Sequence, residues 1–219
     1  MALFAPVPTA PRSWAISVGA EGIAAAQFAR YGFDVLVQTG HEKPSYNLLV
    51  TMRGNLMKIV VKGSEDGCWR LAQPFQRSAS LSNKATENHL AIDRWLDTHG
   101  SRTIYCLAQF EDVALDQLPR LYLAPPAELA QRMHASADRL GEPVLYEHYE
   151  WTSPDTGFTA LEAFPSSWRF SGERIHALHA PETAAPVVIP KIRREPPVEI
   201  RPKAVAAPPE PLRAVALSV

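Results

Sequence analysis

Apolar residues recur at helical spacing in four stretches of the chain, each with start or stop signals at its ends. Ser or Thr can cap the N-terminus of a helix, proline is favoured in its first turn, and glycine commonly follows its last turn. The pattern predicts helices over residues 17–31 (capped by Ser17, stopped by Gly32), 86–99 (capped by Thr86, with Leu90, Ile92, Trp95 and Leu96 facing inward), 125–140 (opened by Pro125 and Pro126, stopped by Gly141) and 171–178.

Short runs rich in β-branched and aromatic residues lie between these helices and predict strands. Two of the runs are joined around Arg53-Gly54-Asn55, which has the composition of a hairpin turn. The predicted strands cover residues 33–38, 46–50, 57–62, 103–110, 120–123 and 143–151, and residues 68–71 can extend the sheet.

Helices and strands thus follow one another along most of the chain. This order predicts an α/β architecture in which helices flank a mixed sheet, within one domain over residues 13–178. Two smaller domains divided near residue 115 are an alternative. It has less support, because Trp95 and Leu96 need the same sheet to pack against.

Proline marks the two ends of the chain. Residues 1–12 predict a short N-terminal arm, and residues 179–219 hold nine of the 20 prolines and no glycine. We interpret the latter segment as a disordered, Pro-rich tail, since it lacks the apolar periodicity of a core. The tail carries six basic and four acidic residues, a net +2. With a total of −1, the rest of the chain carries −3, which weakens a nucleic-acid-binding interpretation without excluding it.

Composition excludes several other classes of protein. No apolar run approaches the roughly 18 residues that span a bilayer, so we expect no membrane partner. Cys68 and Cys106 are too few for a disulfide framework or a four-cysteine metal site. Together with the absence of a secretory signal pattern, this predicts a cytoplasmic protein with reduced thiols.

Residues 17–64 carry a more specific pattern. A helix bears Glu21 and ends at Gly32, a strand candidate contains Asn47, and the next strand candidate ends in Val61-Lys62. This segment resembles the PD-(D/E)xK nuclease superfamily, most nearly its group I intron-type endonucleases and, more distantly, Holliday junction resolvases. The resemblance implies a PD-(D/E)xK nuclease-like sheet flanked by helices.

The resemblance also implies a set of site residues. Nucleases of this family hold Mg²⁺ through carboxylates, because the ion stabilises charge on the phosphate and acidifies the attacking water. By position, Lys62 matches the family's catalytic lysine, and Glu21 matches its helix glutamate. Asn47 and Val60 stand at the two carboxylate positions of the strands, so the resemblance implies a degenerate metal site.

Glu65 and Asp66 follow Lys62 closely and can act as migrated metal ligands, although acids in such a turn usually face water. Trp69 and Arg70 are candidates for contacts with nucleic acid: Trp69 can stack on a base or simply pack in the core.

Three functions remain open. The leading expectation is a nucleic-acid-binding protein, with DNA or RNA as partner, whose endonuclease-like domain has an impaired metal site. The second is an active endonuclease with Mg²⁺ as cofactor and a migrated carboxylate; related nucleases often work as homodimers. The third is a non-catalytic interaction module that binds a protein partner through its Pro-rich tail.

Overall fold

Four α-helices and nine β-strands are found in residues 13–39, 45–77, 84–153 and 155–179, the part of the chain that the computed structural model describes. All of these residues belong to one compact unit. In chain order the elements are α1 (Ser13–Arg30), β1 (Asp34–Val37), β2 (Leu48–Met52), β3 (Asn55–Ser64), β4 (Cys68–Trp69), α2 (Lys84–Leu96), β5 (Thr103–Gln109), β6 (Arg120–Ala124), α3 (Pro126–Leu140), β7 (Leu145–Tyr146), β8 (His148–Thr152), β9 (Thr159–Ala163) and α4 (Gly172–His179).

The central sheet has five strands in the order β1-β2-β3-β5-β6. Neighbouring strands are antiparallel, except β3 and β5, which are parallel and pair Lys62 with Leu107. Parallel neighbours need a long crossover connection, and α2 lies within it. The fold is therefore mixed α/β, with a mixed sheet, as predicted. The sheet also continues across residue 115, since β5 and β6 pair.

Helices α1 and α4 cover one face of this sheet. Ala20, Ala24 and Phe28 follow one another at intervals of four along α1 and are fully buried. They share a hydrophobic cluster with Ile59 of β3 and Ile175 of α4. Residues four apart lie on the same side of a helix, so this spacing explains which side of α1 meets the sheet.

Helices α2 and α3 cover the opposite face. Ile92 and Trp95 of α2 and Leu129 and Met133 of α3 belong to a second buried cluster. Every residue of β5 is buried, because this strand has sheet neighbours on both sides and helices on both faces. Gly141 has a positive φ of 73° and ends α3, as predicted.

Two predicted helix starts are wrong. Helix α1 begins at Ser13, so Ser17 lies inside the helix rather than at its cap. The earlier turn is held because Ile16 packs closely against Gly63 of β3. Helix α2 likewise begins before Thr86, at Lys84, and ends at Leu96. Its Leu90 is 42% exposed rather than inward, because the inward side is formed by Ala91 and its neighbours.

The single strand predicted over residues 143–151 is also wrong. Two strands occur there, β7 and β8, and they belong to different two-stranded sheets. Strand β7 pairs with β4, so β4 does not extend the central sheet as predicted, and β8 pairs with β9, which was not predicted. Glu147 separates the two strands: its N–H donates to the carbonyl of Gly67, and its carbonyl accepts from Phe164.

The remaining predicted strands and helices are found within a few residues of their expected bounds. The predicted N-terminal arm and residues 180–219 of the predicted tail lie outside the described residues. Among the helices of the described residues, none is long and apolar enough to cross a membrane.

Candidate functional site

Helix α1 lies directly on the carboxyl-terminal half of β3 because residue 63 is a glycine. A Cβ atom at Gly63 would stand 2.6 Å from Cγ2 of Ile16 and 3.1 Å from its carbonyl oxygen. The first distance is one that Cβ atoms essentially never show and the second is unusually tight, so glycine is the residue that permits this approach. The close packing brings the third turn of α1, which carries Glu21, to the edge of the sheet.

Glu21 and Asn47 meet at this edge. The Asn47 side-chain Nδ2 donates to Oε1 of Glu21 over 2.7 Å, and its Oδ1 accepts from the backbone N–H of Val61 over 2.8 Å. A backbone N–H needs an oxygen acceptor, which fixes the orientation of the amide. Asn47 thus bridges α1 and β3 with both ends of its side chain.

Val60 and Lys62 have opposite environments although both project from β3. Val60 is 5% exposed and belongs to the cluster under α2 and α3. Lys62 is exposed, and its backbone carbonyl accepts from Nε1 of Trp69 over 3.1 Å. Both residues line one cavity together with Asn47. The structure therefore gathers Glu21, Asn47, Val60 and Lys62 around one end of β3.

The donor set at this edge does not suit Mg²⁺. The ion binds anionic and carbonyl oxygens. Here the Asn47 amide directs an N–H at Glu21 and uses its oxygen for Val61, while Val60 offers no ligand atom. Glu21 is the single carboxylate among these four positions. In the described part of the chain, no group of three or more His, Cys, Asp or Glu side chains is arranged to hold a metal ion.

The carboxylate of Asp66 forms hydrogen bonds within and beside the turn between β3 and β4. It accepts from Oγ of Ser64 over 2.9 Å, from Sγ and N–H of Cys68 and from Nη1 of Arg70 over 3.3 Å. Burial raises the pKa of Asp66, but these hydrogen bonds outweigh it and hold the pKa below its usual value. Asp66 and Glu65 are both exposed, and no described contact joins either of them to Asn47 or Lys62.

Trp69 and Arg70 both line the cavity beside Lys62. Trp69 is 3% exposed and stacks on Phe164, with ring centroids 5.6 Å apart and an angle of 22°. Its neighbour Cys68 is buried, and burial together with Asp66 raises the pKa of that thiol to about 11. Cys68 is therefore a protonated, unreactive thiol at neutral pH.

The cavity is also lined by residues that the sequence pattern did not indicate as site residues. It has a volume of about 540 Å³, and its aromatic lining comes from four separate segments of the chain. Besides Trp69, the lining residues with aromatic rings are Tyr46, Phe75, Trp95, His99 and Tyr105. We call this site the aromatic cavity. Its members are far apart in sequence and follow no motif, so nothing in the local pattern could have grouped them.

Hydrogen bonds fix the inner wall of the aromatic cavity. Nδ1 of His99 lies 2.8 Å from the Trp95 carbonyl, and Nε2 lies 2.7 Å from the Tyr105 hydroxyl. The carbonyl can only accept, so Nδ1 carries the proton and the Tyr105 hydroxyl donates to Nε2. Burial lowers the pKa of His99 and raises that of Tyr105 to about 12, so both are neutral at physiological pH.

Two further polar clusters lie outside this cavity. Stacked His89 and His134 join α2 to α3, with their Nδ1 atoms 2.7 Å apart. Buried Glu147 receives Nε and Nη2 of Arg120 over 2.7 and 2.8 Å, and the Tyr122 hydroxyl over 2.5 Å. Since their polar atoms pair with one another, both clusters hold elements together.

The fold and this edge define a mixed α/β protein with a cationic, aromatic-lined cavity beside an amide-bridged carboxylate. Comparisons of the chain with protein-family models, with curated proteins and with solved structures give no match.

Proposed function

We propose that this chain is a nucleic-acid-binding protein whose domain has a PD-(D/E)xK nuclease-like fold and an impaired metal site. The order of its core elements supports this proposal: one helix, an antiparallel three-strand meander, a crossover helix and a strand parallel to the third. The sequence resemblance rests on residues 17–64, which form most of the first helix and the three-strand meander of this order.

One observation carries the proposal furthest. The Asn47 side chain donates to Glu21 and accepts from Val61 at the strand end where Lys62 projects. In a nuclease of this kind, a carboxylate at the position of Asn47 would share a cation with Glu21. Here an amide takes the place of both the carboxylate and the cation, because its N–H neutralises part of the Glu21 charge. The cationic side chain remains while the metal ligands do not.

Salt-dependent binding tests this proposal. We expect the full chain to bind fluorescently labelled oligonucleotides in an anisotropy titration, with an affinity that falls as salt rises. Lys62→Glu should weaken binding several-fold, because it reverses a charge at the proposed phosphate contact.

Arg102→Glu is the matched control. Arg102 is an exposed cation that precedes Thr103, and Thr103 pairs with Lys58, so it lies near the other end of β3. About five residues of strand, or ~16 Å, separate it from Lys62. We expect this variant to bind within about twofold of the native chain. Absence of binding at low salt, or an equal loss in both variants, would overturn the proposal.

A further inference from the structure

The aromatic cavity has accessible aromatic rings at its rim and buried ones further in, so a flat ligand can contact them. Tyr46 and Phe75 are only partly buried and pack at the margin of the hydrophobic cluster, whereas Trp95 and Tyr105 are buried and form its inner part. A volume of about 540 Å³ falls in the range of small-ligand sites and can hold a nucleotide.

The polar atoms of the inner wall already have partners within the protein. Nδ1 of His99 is paired with a carbonyl, its Nε2 with the Tyr105 hydroxyl, and the Trp69 indole N–H with the Lys62 carbonyl. Donors and acceptors that are paired in this way cannot read the edge of a base. The wall therefore favours stacking, which every base can provide.

The charged groups that line the cavity are basic. Lys62 and Arg70 are its cationic lining residues, and none of the lining residues that the structure describes is acidic. Arg70 also pairs with Asp66, which lies outside the lining, over 3.3 Å between exposed side chains. Lys58 adds a third cation nearby, with its Nζ 5.7 Å from the centroid of the Tyr46 ring. Aromatic surface within and cations around it match a ligand with a flat ring and an attached anion.

We propose that the aromatic cavity takes one unpaired nucleobase, with the adjoining phosphate at Lys62 and Arg70, so that the preferred partner is single-stranded nucleic acid. This proposal rests on the proposed function and narrows it. A base within a duplex is stacked on both faces and paired along one edge, so it reaches such a cavity only after unstacking and unpairing, at an energetic cost.

Three probes of equal length separate contacts to bases from contacts to phosphates. They are a single strand of thymidines, a strand of abasic sites with the same phosphates, and a blunt duplex. In anisotropy titrations of the full chain, we expect the thymidine strand to bind about tenfold more tightly than the abasic strand, and more tightly than the duplex.

Variants of the cavity then locate the effect. Phe75→Ala should remove most of the preference for the thymidine strand while leaving affinity for the abasic strand unchanged. Phe158→Ala is the matched control, because Phe158 is 63% exposed and lies outside the cavity. Since Phe75 packs against the core, Phe75→Leu provides a second variant that keeps apolar volume without a ring. Tyr46→Leu applies the same test to the other rim residue.

The outcomes distinguish the two proposals. Equal binding of the thymidine and abasic strands, tighter binding of the duplex, or an unchanged preference in folded Phe75→Leu and Tyr46→Leu would overturn the base site. Each of these results would leave nucleic-acid binding standing. Absence of binding to all three probes would overturn both proposals.

Discussion

Gly22 and Gly32 belong to the same stretch of chain but have opposite conformational roles. Gly32 follows α1 with φ of 85°, and the Phe33 N–H donates to the carbonyl of Phe28 over 3.2 Å, which closes the end of the helix. Gly22 is an exposed residue inside α1, and a Cβ there would meet no atom within 4 Å.

The same substitution should therefore change stability in opposite directions. Gly32→Ala forces a side chain into the left-handed region and should destabilise the fold by about 1 kcal/mol. Gly22→Ala should stabilise it by about 0.5–1 kcal/mol, because alanine loses less backbone entropy in a helix. Urea unfolding of both variants measures the difference. Effects of the same sign would contradict this account of where α1 ends.

The proposed impairment of a metal site depends on Asn47. Asn47→Asp keeps the oxygen that accepts from Val61 but places a second carboxylate about 2.7 Å from Oε1 of Glu21. Without metal, repulsion should lower stability by about 1–3 kcal/mol or force one carboxyl to protonate. With Mg²⁺ or Mn²⁺ the variant should regain stability, since a ligand at ten times its Kd contributes about 1.4 kcal/mol.

Thermal unfolding across a metal series measures this response. We expect no metal-dependent change in Tm for the native chain. Glu21→Gln in the Asn47→Asp background is the control, because it removes one of the two carboxylates and should abolish both the repulsion and the metal response. A native chain that is stabilised by Mg²⁺ as strongly as the variant would show that the native site is not impaired.

At the scale of elements, Glu147 ties β6 to the segment between β7 and β8. Its side chain is 7% exposed and forms a bidentate salt bridge with Arg120. Burial raises the pKa of Glu147, but hydrogen bonds from Arg120 and Tyr122 outweigh it, so its pKa lies below the ordinary value of 4.5. Burial and Glu147 raise the pKa of Tyr122 to about 12.

This lowered pKa gives the pair a defined pH dependence. A carboxyl with a lower pKa in the folded than in the unfolded chain stabilises the fold above its unfolded pKa, and that stabilisation is lost as the pH falls through the folded pKa. Glu147→Gln should cost about 1–3 kcal/mol at pH 7. We expect the difference in the free energy of unfolding between the native chain and Glu147→Gln to become smaller as the pH falls below the ordinary pKa of the carboxyl.

Urea unfolding at pH 7 and at about pH 3.5 checks the sign of this effect. Glu150→Gln removes the same charge from an exposed position on β8 and should change stability little at either pH. If the difference in the free energy of unfolding between the native chain and Glu147→Gln increased on acidification, this would contradict the lowered pKa of Glu147.

At the scale of the whole molecule, the central sheet couples the two hydrophobic clusters. Alternate residues of β3 face opposite sides, so Ile59 joins the cluster under α1 and Val60 the cluster under α2 and α3. One cluster cannot unfold without exposing the other face of the same strands. We therefore expect a single cooperative unfolding transition.

Matched substitutions on the two faces test this coupling. Ile59→Val and Ile92→Val each remove one fully buried methylene group, the first under α1 and the second in α2. Each should cost about 0.5–1.5 kcal/mol and shift the unfolding seen by tryptophan fluorescence and by far-UV circular dichroism equally. Trp69, Trp95 and Trp168 all lie in the second cluster. If Ile59→Val left the unfolding transition seen by fluorescence unchanged, this would contradict the coupling.

Local pattern alone sufficed for most of the elements. Gly32 and Gly141 end their helices with positive φ, and the turn at Arg53 and Gly54 has positive φ at both residues, as its composition predicted. These features depend on backbone conformations that a few neighbouring residues determine, so the sequence predicts them directly. The burial of Leu129, Ala130 and Met133 was predictable for the same reason, because helical spacing places them on one side.

Other features depended on partners that are distant in sequence. Residues 143–151 form two short strands because Glu147 pairs with Arg120, 27 positions earlier. The bridge from Glu21 to Asn47 required Gly63 to admit α1, and the aromatic cavity required four separated segments to converge. By itself the sequence determined most of the elements and the residue types at the end of β3. Only the tertiary structure decided how those residues pair, because hydrogen bonds and close packing between distant segments have no local period.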